Sequence, residues 1–138
     1  MASLRQIHSA VVLPAEQTGV AGDGDALVTN VAGVPVSVRT ADCYPILLAD
    51  RKNQAVAAIH AGWRGTVAEI SLATLRTMNQ RYGTRPLDVY AVIGPGIGLC
   101  CYEVGVDVAR KFGLPGAGCV DLAAANEITG WGKARVFR

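Results

Sequence analysis

Ala55-Val56-Ala57-Ala58-Ile59-His60-Ala61-Gly62-Trp63-Arg64-Gly65-Thr66 is the stretch of the chain from which the fold is most readily inferred. The apolar run at its start predicts a buried strand that ends on His60. A turn bracketed by glycines follows, and a helix is predicted from Thr66 onward. A side chain that can bind metal or accept a proton therefore stands at a strand end, beside Arg64 and a helix N-terminus. This arrangement is typical of sites for anionic or electron-rich ligands.

Apolar and alternating runs on both sides of this stretch predict a sheet. The predicted strands are 11–13, 26–29, 34–38, 46–49, 54–59 and 87–93. The turn at 50–53 makes the strands 46–49 and 54–59 a hairpin. Strands with interspersed helices predict an α/β or α+β layered sandwich, a mixed sheet with flanking helices, in a single domain over residues 1–138.

Three helices are predicted, over 66–81, 105–112 and 121–127. The first begins at a capping box made by Thr66 and Glu69 and ends at Gly83. Its apolar face against the sheet is predicted to consist of Ala68, Leu72 and Leu75.

Composition excludes several classes of protein. Of the 138 residues 51% are hydrophobic and 17% charged, which is typical of a globular chain. The net charge of +2 gives no support for a nucleic-acid or membrane partner bound through charge. The sequence has neither a spanning apolar run nor an apolar N-terminal signal, so we expect a cytoplasmic protein. The four cysteines are expected as thiols rather than disulfides. The adjacent Cys100 and Cys101 could offer a thiolate, but packing is favoured, because neighbouring cysteines do not easily bind one tetrahedral ion together.

His8, Cys43 and His60 are a candidate set of metal ligands. Catalytic zinc sites have three protein ligands and leave the fourth position to water or substrate. These three residues lie far apart in the sequence, so they would come from separate elements. From the pattern alone, the simpler interpretation of Cys43 is core packing. The simpler interpretation of His8 is a solvated or packed side chain. For His60 the functional reading is favoured, because nothing about packing requires an imidazole at a strand end.

Arg64, Gly65 and Thr66 form a candidate anion site. The guanidinium of Arg64 can reach the same end of the strand as His60, and the backbone N–H groups of Gly65 and Thr66 would point towards it. A surface arginine that caps nearby carbonyls is the alternative. The turn Gly94-Pro95-Gly96-Ile97-Gly98 lacks dinucleotide spacing, so it is either a plain tight turn or a close approach to a ligand.

Four blocks of sequence carry a resemblance to a known family: residues 6–8, 40–45, 60–66 and 93–104. Together they resemble the signatures of the YfiH/YlmD/LACC1 family, also described as multicopper polyphenol oxidases or laccases. The resemblance implies an α/β sandwich similar in plan to the catalytic domain of cytotoxic necrotising factor toxins. It also implies that His8, Cys43 and His60 hold zinc and that Arg64 lies near the substrate pocket. Ser9 stands where the family usually has glycine, and the family's chains are longer at both ends, so this one is expected to be truncated.

The resemblance implies a purine nucleoside enzyme that phosphorolyses adenosine, inosine, guanosine and methylthioadenosine and deaminates adenosine. On this interpretation the catalytic residues are Cys43, His60 and Arg64. Phosphate is bound by Arg64, Gly65 and Thr66, and the partners are a nucleoside and phosphate. Glu103, Asp42 and Asp25 are unranked candidates for the proton donor.

Three alternatives stay open. One is a laccase-like copper protein, although a multicopper oxidase needs many imidazoles and the chain has two histidines. A second is a thiol hydrolase with Cys43 as nucleophile and His60 as base. The third is an inactive metal-binding or interaction module, in which an exposed sheet edge pairs with another chain, for example as a homo-oligomer.

Overall fold

A five-stranded mixed sheet forms the centre of the fold. The structure is a computed structural model and describes residues 1–98, 100–113 and 118–119. The strands are β1 (Ala2–Arg5), β2 (Val12–Pro14), β3 (Gly19–Asp23), β4 (Ala26–Thr29), β5 (Tyr44–Asp50), β6 (Ala55–Ala61), β7 (Val89–Ile93), β8 (Glu103–Val104) and β9 (Gly118–Cys119). The helices are α1 (Trp63–Val67), α2 (Ile70–Tyr82) and α3 (Val106–Lys111), with a 3-10 turn at Pro86–Asp88.

The order of strands in the central sheet is β2-β4-β6-β5-β7. The pair β2–β4 is parallel and the other three pairs are antiparallel. Two smaller sheets accompany it, the parallel pair β1–β3 and the antiparallel pair β8–β9.

The sheet lies between two apolar layers. Along β4, Val28 packs in one core together with Ile70 and Met78 of α2, whereas Leu27 packs in a second core with Leu4 of β1. Successive residues of a strand point to opposite faces, so β4 contributes to both cores. The predicted layered fold, with a mixed sheet and flanking helices, is confirmed.

The β5–β6 hairpin is confirmed and is longer than predicted. Asp50, at the end of β5, is buried and accepts hydrogen bonds from the backbone N–H groups of Lys52 and Asn53 and from the side-chain amide of Asn53. These bonds to the charged form lower the pKa of Asp50, with the Asn53 side chain the largest cause. A buried carboxylate therefore determines the turn, and with it the pairing of the two strands.

The single helix predicted over 66–81 is wrong, because the chain forms two helices. Glu69 separates α1 from α2 with a left-handed backbone (φ 57°). Thr66 lies inside α1 and no side-chain hydrogen bond caps α2, so the capping box does not form. Ala68 is exposed, and the buried residues of α2 are Ile70, Thr74, Leu75 and Met78. Gly83 does end α2, again with a left-handed backbone (φ 72°).

Three other predictions need correction or addition. The alternating segment 34–38 is a single bridge between Ala2 and Val36 rather than a strand, although Val34, Val36 and Val38 pack against the second core as alternation requires. The predicted strand 87–93 begins only at Val89. Strands β1, β3, β8 and β9 were not predicted. The predicted helix 105–112 is confirmed as α3, and the one at 121–127 lies outside the described residues.

Within the described ranges, every helix is too short or too polar to cross a bilayer. Strand β7 lies at an edge of the sheet with Tyr90 and Val92 exposed. Homo-oligomerisation through such an edge, and a cytoplasmic location, stay predictions.

Candidate metal centre

Strand pairing brings the three predicted ligands to one end of the sheet. Because β5 and β6 are antiparallel, Pro45 lies opposite His60, and Cys43, which comes just before β5, lies next to the end of β6. On the other side of β6, Ala26 lies opposite Ile59, so Asp25 reaches His60. Strand β2 runs parallel to β4, so the loop that precedes β2 and carries His8 arrives at the same end. Residues far apart in sequence therefore meet through register alone.

His8, Cys43 and His60 form a compact cluster of possible metal ligands. One ligand atom from each lies within 4.8 Å of the other two. The two imidazole rings are 4.8 Å apart between centroids and meet edge to face at 77°. His60 is buried, Cys43 is half-buried and His8 is exposed, so the cluster opens to solvent on the His8 side. Two imidazole nitrogens and a thiol are a donor set that suits zinc or copper.

Gly62 leaves the space around this cluster open. A Cβ atom at this position would lie 3.1 Å from the Cys43 sulfur, 3.1 Å from the His8 ring and 3.9 Å from the His60 ring. Any other residue would therefore crowd the space between the three side chains. The glycine of the strand–turn–helix motif therefore permits the close approach of the three side chains as well as the turn.

Asp25 orients His60. Its carboxylate is fully buried and lies 2.7 Å from Nδ1 of His60, and the His60 backbone N–H donates to the Asp25 carbonyl. Because a carboxylate only accepts, Nδ1 carries the proton and Nε2 is left for a ligand. Burial alone raises the pKa of Asp25, but hydrogen bonds from His60, Ser9 and His8 outweigh it, so the pKa lies below its ordinary value. Asp25 thus keeps its charge, which argues against the role of proton donor.

The same carboxylate holds the loop that carries His8. It accepts hydrogen bonds from the backbone N–H groups of Ile7, His8 and Ser9, at 3.3, 3.1 and 2.6 Å. His8 has a left-handed backbone (φ 57°), which is costly for a residue other than glycine. The Ser9 hydroxyl adds a further bond to Asp25 at 2.7 Å. Serine in place of the family's glycine therefore reinforces the loop.

The glycine turn supports the third ligand, Cys43. The Ile97 N–H donates to the Asp42 carbonyl at 2.8 Å, and the Tyr44 hydroxyl donates to the Ile97 carbonyl at 2.9 Å. A Cβ at Gly96 would lie 2.9 Å from the Asp42 carbonyl oxygen. The turn therefore approaches the two neighbours of Cys43 closely. Burial raises the pKa of the Cys43 thiol, and the charges of Asp42 and Asp25 raise it further.

The predicted anion site is only partly available. The Thr66 N–H donates to the Gly62 carbonyl within α1, so this backbone group is already paired, and phosphate binding by Thr66 stays a prediction. A Cβ at Gly65 would lie 2.8 Å from the Ser9 carbonyl oxygen, so this glycine permits close contact between α1 and the His8 loop. Arg64 is exposed, with its guanidinium 4.4 Å from the centre of the Trp63 ring. Phosphate binding by Arg64 and the Gly65 N–H stays a prediction.

Tyr102 is a partly buried residue near Cys43 that the sequence did not single out. Burial raises the pKa of its phenol, the charge of Cys43 raises it further, and the charge of Arg64 opposes them. The phenol is therefore within electrostatic reach of both a predicted ligand and the predicted phosphate-binding cation. Its only sequence signal was its place in the fourth family block. Of the other acids considered, Asp42 and Glu103 are both exposed.

Fold and cluster together define an α+β protein with a candidate His/Cys/His metal centre at one end of a mixed sheet. Residues 1–134 match the family described as multi-copper polyphenol oxidoreductase laccase, and the chain belongs to this family.

Relatives and solved structures agree with this assignment. A purine nucleoside phosphorylase of Deinococcus radiodurans is 44% identical over 135 residues, which cover 91% of this chain and 53% of that protein. An adenosine deaminase, RL5, from an unknown prokaryotic organism is 40% identical over 83% of this chain and 44% of its own length. The structure of YlmD from Geobacillus stearothermophilus matches with a TM-score of 0.80 and 31% identity, over 87% of this chain and 53% of that one. The chain spans about half the length of the curated relatives it matches.

The number of histidines bears on the laccase description. The 138 residues contain two histidines, and both belong to the one cluster. A blue-copper site together with a trinuclear copper cluster needs many more imidazoles. These residues therefore suit one mononuclear centre.

Proposed function

We propose that this chain binds a zinc ion through His8, Cys43 and His60 and acts in purine nucleoside phosphorolysis, with adenosine deamination as a second activity. The observation that carries the proposal is the cluster itself, three ligand atoms within 4.8 Å of one another. Its support is that relatives bear the names purine nucleoside phosphorylase and adenosine deaminase. Because the chain spans about half their length, the activity of these 138 residues is itself part of the proposal.

Zinc suits the cluster on chemical grounds. Two neutral imidazoles and one thiolate are ordinary zinc donors, and three protein ligands leave one position for water or substrate. When bound, the metal would polarise an oxygen or nitrogen of the substrate and lower the pKa of a coordinated water. The exposed side chain of His8 marks the direction from which substrate would enter.

The chain's own residues have separate tasks in this scheme. Asp25 holds the His60 proton at Nδ1, so that Nε2 can act as a ligand. Arg64 binds the phosphate co-substrate, because a guanidinium makes paired charge-assisted hydrogen bonds to phosphate oxygens. Its stacking on Trp63 directs the guanidinium. In phosphorolysis the phosphate then attacks C1′ of the sugar as the purine leaves.

The metal hypothesis is tested with Cys43→Ala under reducing conditions. We expect wild-type protein to hold one zinc ion per chain and to convert adenosine and phosphate to adenine and ribose 1-phosphate, and the variant to lose both. Cys100→Ala, which removes an exposed cysteine outside the cluster, is the matched control and should keep both. Unchanged turnover in Cys43→Ala would rule out the metal mechanism. Stoichiometric zinc without turnover would instead support a metal-binding module.

A thiol hydrolase remains the second candidate, because the Asp25–His60 hydrogen bond also fits an orienting residue and a general base beside Cys43. The raised pKa of the thiol weakens it, since the thiolate is the nucleophile. Iodoacetamide labelling distinguishes the two. Protection of Cys43 by zinc supports the metal site, whereas amidase activity that labelling abolishes supports the hydrolase. Copper-loaded protein that reduces oxygen with a polyphenol donor would support the laccase alternative.

A further inference from the structure

Cys100 and Cys101 form an exposed pair of sulfur atoms just after the glycine turn. Their Sγ atoms lie 3.0 Å apart, and neither residue is in a disulfide. Both side chains are exposed, so the prediction that they serve in packing is wrong. A disulfide bond is ~2.05 Å long, so ring closure requires the two sulfur atoms to move together by only about 1 Å.

A short chain of hydrogen bonds connects this pair to Cys43. The N–H groups of Cys101 and Tyr102 both donate to the carbonyl of Gly98, at 3.0 and 3.1 Å. The preceding residue, Ile97, bonds to the two sequence neighbours of Cys43 through its own N–H and carbonyl. The backbone position of a predicted metal ligand therefore depends on the turn that ends at the two cysteines.

We propose that Cys100 and Cys101 form a redox modification site, at which a small disulfide such as glutathione disulfide closes them into an intramolecular disulfide. The thiolate of one cysteine attacks a sulfur of the oxidant and releases one thiol; the other cysteine then attacks the mixed disulfide and releases the second. One S–S bond forms and one breaks. The two protons and two electrons lost by the cysteines reside in the two thiols released.

Chain geometry makes this modification reversible. Consecutive Cα atoms are ~3.8 Å apart, closer than the ~4.4–6.8 Å usual between disulfide-bonded cysteines. Ring closure between neighbours is therefore strained, and strained or exposed disulfides are the readily reduced ones. Closure must also change the backbone that donates to Gly98, and the change passes through Ile97 to Cys43. We expect the oxidised chain to bind metal more weakly, an effect that rests on the proposed metal site.

Peptide mapping of the full chain tests the modification. Reduced protein is treated with glutathione disulfide, alkylated and digested without reductant. We expect the peptide that contains Cys100 and Cys101 to lose two hydrogen atoms and to regain them with dithiothreitol. Cys119 is the essential control, because it is a further cysteine of the chain and its backbone pairs with Glu103 in β8–β9. Closure should persist in Cys119→Ser and vanish in Cys100→Ser.

Two outcomes would overturn this redox site: a linkage from either cysteine to Cys119, or a glutathione adduct that remains on one cysteine of the pair. The effect on metal is measured by chelator competition with zinc. Oxidation should weaken zinc binding about tenfold or more in wild type, in the range found for residues that support metal ligands. It should have no effect in the double variant Cys100→Ser/Cys101→Ser. An equal loss there would mean that Cys43 itself is oxidised and that the coupling is absent. If reduced wild type holds no zinc, the proposed function fails, and the peptide map still decides the modification.

Discussion

Replacing Asp25 with asparagine isolates the contribution of the buried carboxylate to the site. The substitution keeps the size and shape of the side chain and removes its charge. It also replaces one of two acceptor oxygens with an NH₂ group that only donates. One oxygen of Asp25 now accepts from His8 N–H and His60 Nδ1, and the other from Ile7 N–H, Ser9 N–H and the Ser9 hydroxyl.

Either orientation of the introduced amide leaves at least two buried or half-buried donors facing an NH₂ group. An unsatisfied donor costs about 1–3 kcal/mol, and breaking a buried charged interaction about 3–5 kcal/mol. We therefore expect Asp25→Asn to lower the free energy of unfolding by about 3–5 kcal/mol. If the NH₂ group faces His60, Nδ1 must accept, which moves the ring proton to Nε2 and removes the lone pair needed by a metal. Zinc affinity should then fall by about 10–100-fold.

Urea denaturation followed by circular dichroism, with a chelator present, measures the loss of stability. Competition with a chromophoric chelator measures zinc affinity under conditions in which the variant is folded. The matched control is Asp23→Asn, the same substitution two residues away on an exposed side chain paired with Arg5. It should change stability by less than about 0.5 kcal/mol and leave zinc affinity unchanged.

The reasoning is refuted if Asp25→Asn resembles Asp23→Asn in both measurements. A stability loss with unchanged zinc affinity would mean that Asp25 holds the loop but does not determine the His60 tautomer. Asp25→Glu provides a further comparison, because it keeps the charge but moves it by one methylene. It should retain more zinc affinity than Asp25→Asn if charge is the decisive factor.

Three more predictions concern space, charge and packing. Gly62→Ala should lower zinc affinity at least about tenfold, because its Cβ would lie 3.1 Å from two ligand side chains. Gly98→Ala is the control and should leave zinc affinity unchanged, because its Cβ would lie 3.7 Å from the Cys100 sulfur, an ordinary contact. The pKa of Asp25 is lowered in the folded state, so its stabilising contribution is present above the unfolded pKa of ~3.9 and is lost as the pH falls through the folded value. Urea titrations should therefore show the free energy of unfolding declining from about pH 5 downward, and declining less steeply in Asp25→Asn. Met78→Ala, at a fully buried position, should lower the free energy of unfolding by about 2–5 kcal/mol. Leu87→Ala, at a side chain 92% exposed, should change it by less than about 0.5 kcal/mol. Thermal melts that rank the two variants the other way would contradict the assignment of α2 to the core.

Local pattern was sufficient for elements whose signals lie within a few residues. The strand 26–29, the β5–β6 hairpin, the end of α2 at Gly83 and the helix α3 were all predicted, because each depends on periodicity or on one turn residue. The break between α1 and α2 at Glu69 was not predicted. A left-handed glutamate is locally unfavourable and is maintained by what α1 and α2 contact, with Gly65 against the Ser9 carbonyl and Ile70 in the core.

The predicted strand 34–38 failed for a related reason. Its alternation correctly indicated which side chains face the second core. A strand also needs a neighbour along its backbone. The bridge that the described residues form with this segment is to Ala2, which donates to the Pro35 carbonyl and accepts from the Ser37 N–H. Which backbone groups find partners depends on the whole topology.

By itself, the sequence predicted the layered fold class, because hydrophobic periodicity is local. It also offered three candidate ligands, because the chain contains only two histidines and the family resemblance selected Cys43 from the four cysteines. Tertiary structure alone decided that His8, Cys43 and His60 form one cluster, because that depends on the register of β4, β5 and β6 and on the parallel entry of β2. It alone also assigned Asp25 to holding His60 and the His8 loop rather than to proton donation. A buried carboxylate acquires its role from the donors that surround it, and those donors come from distant parts of the chain.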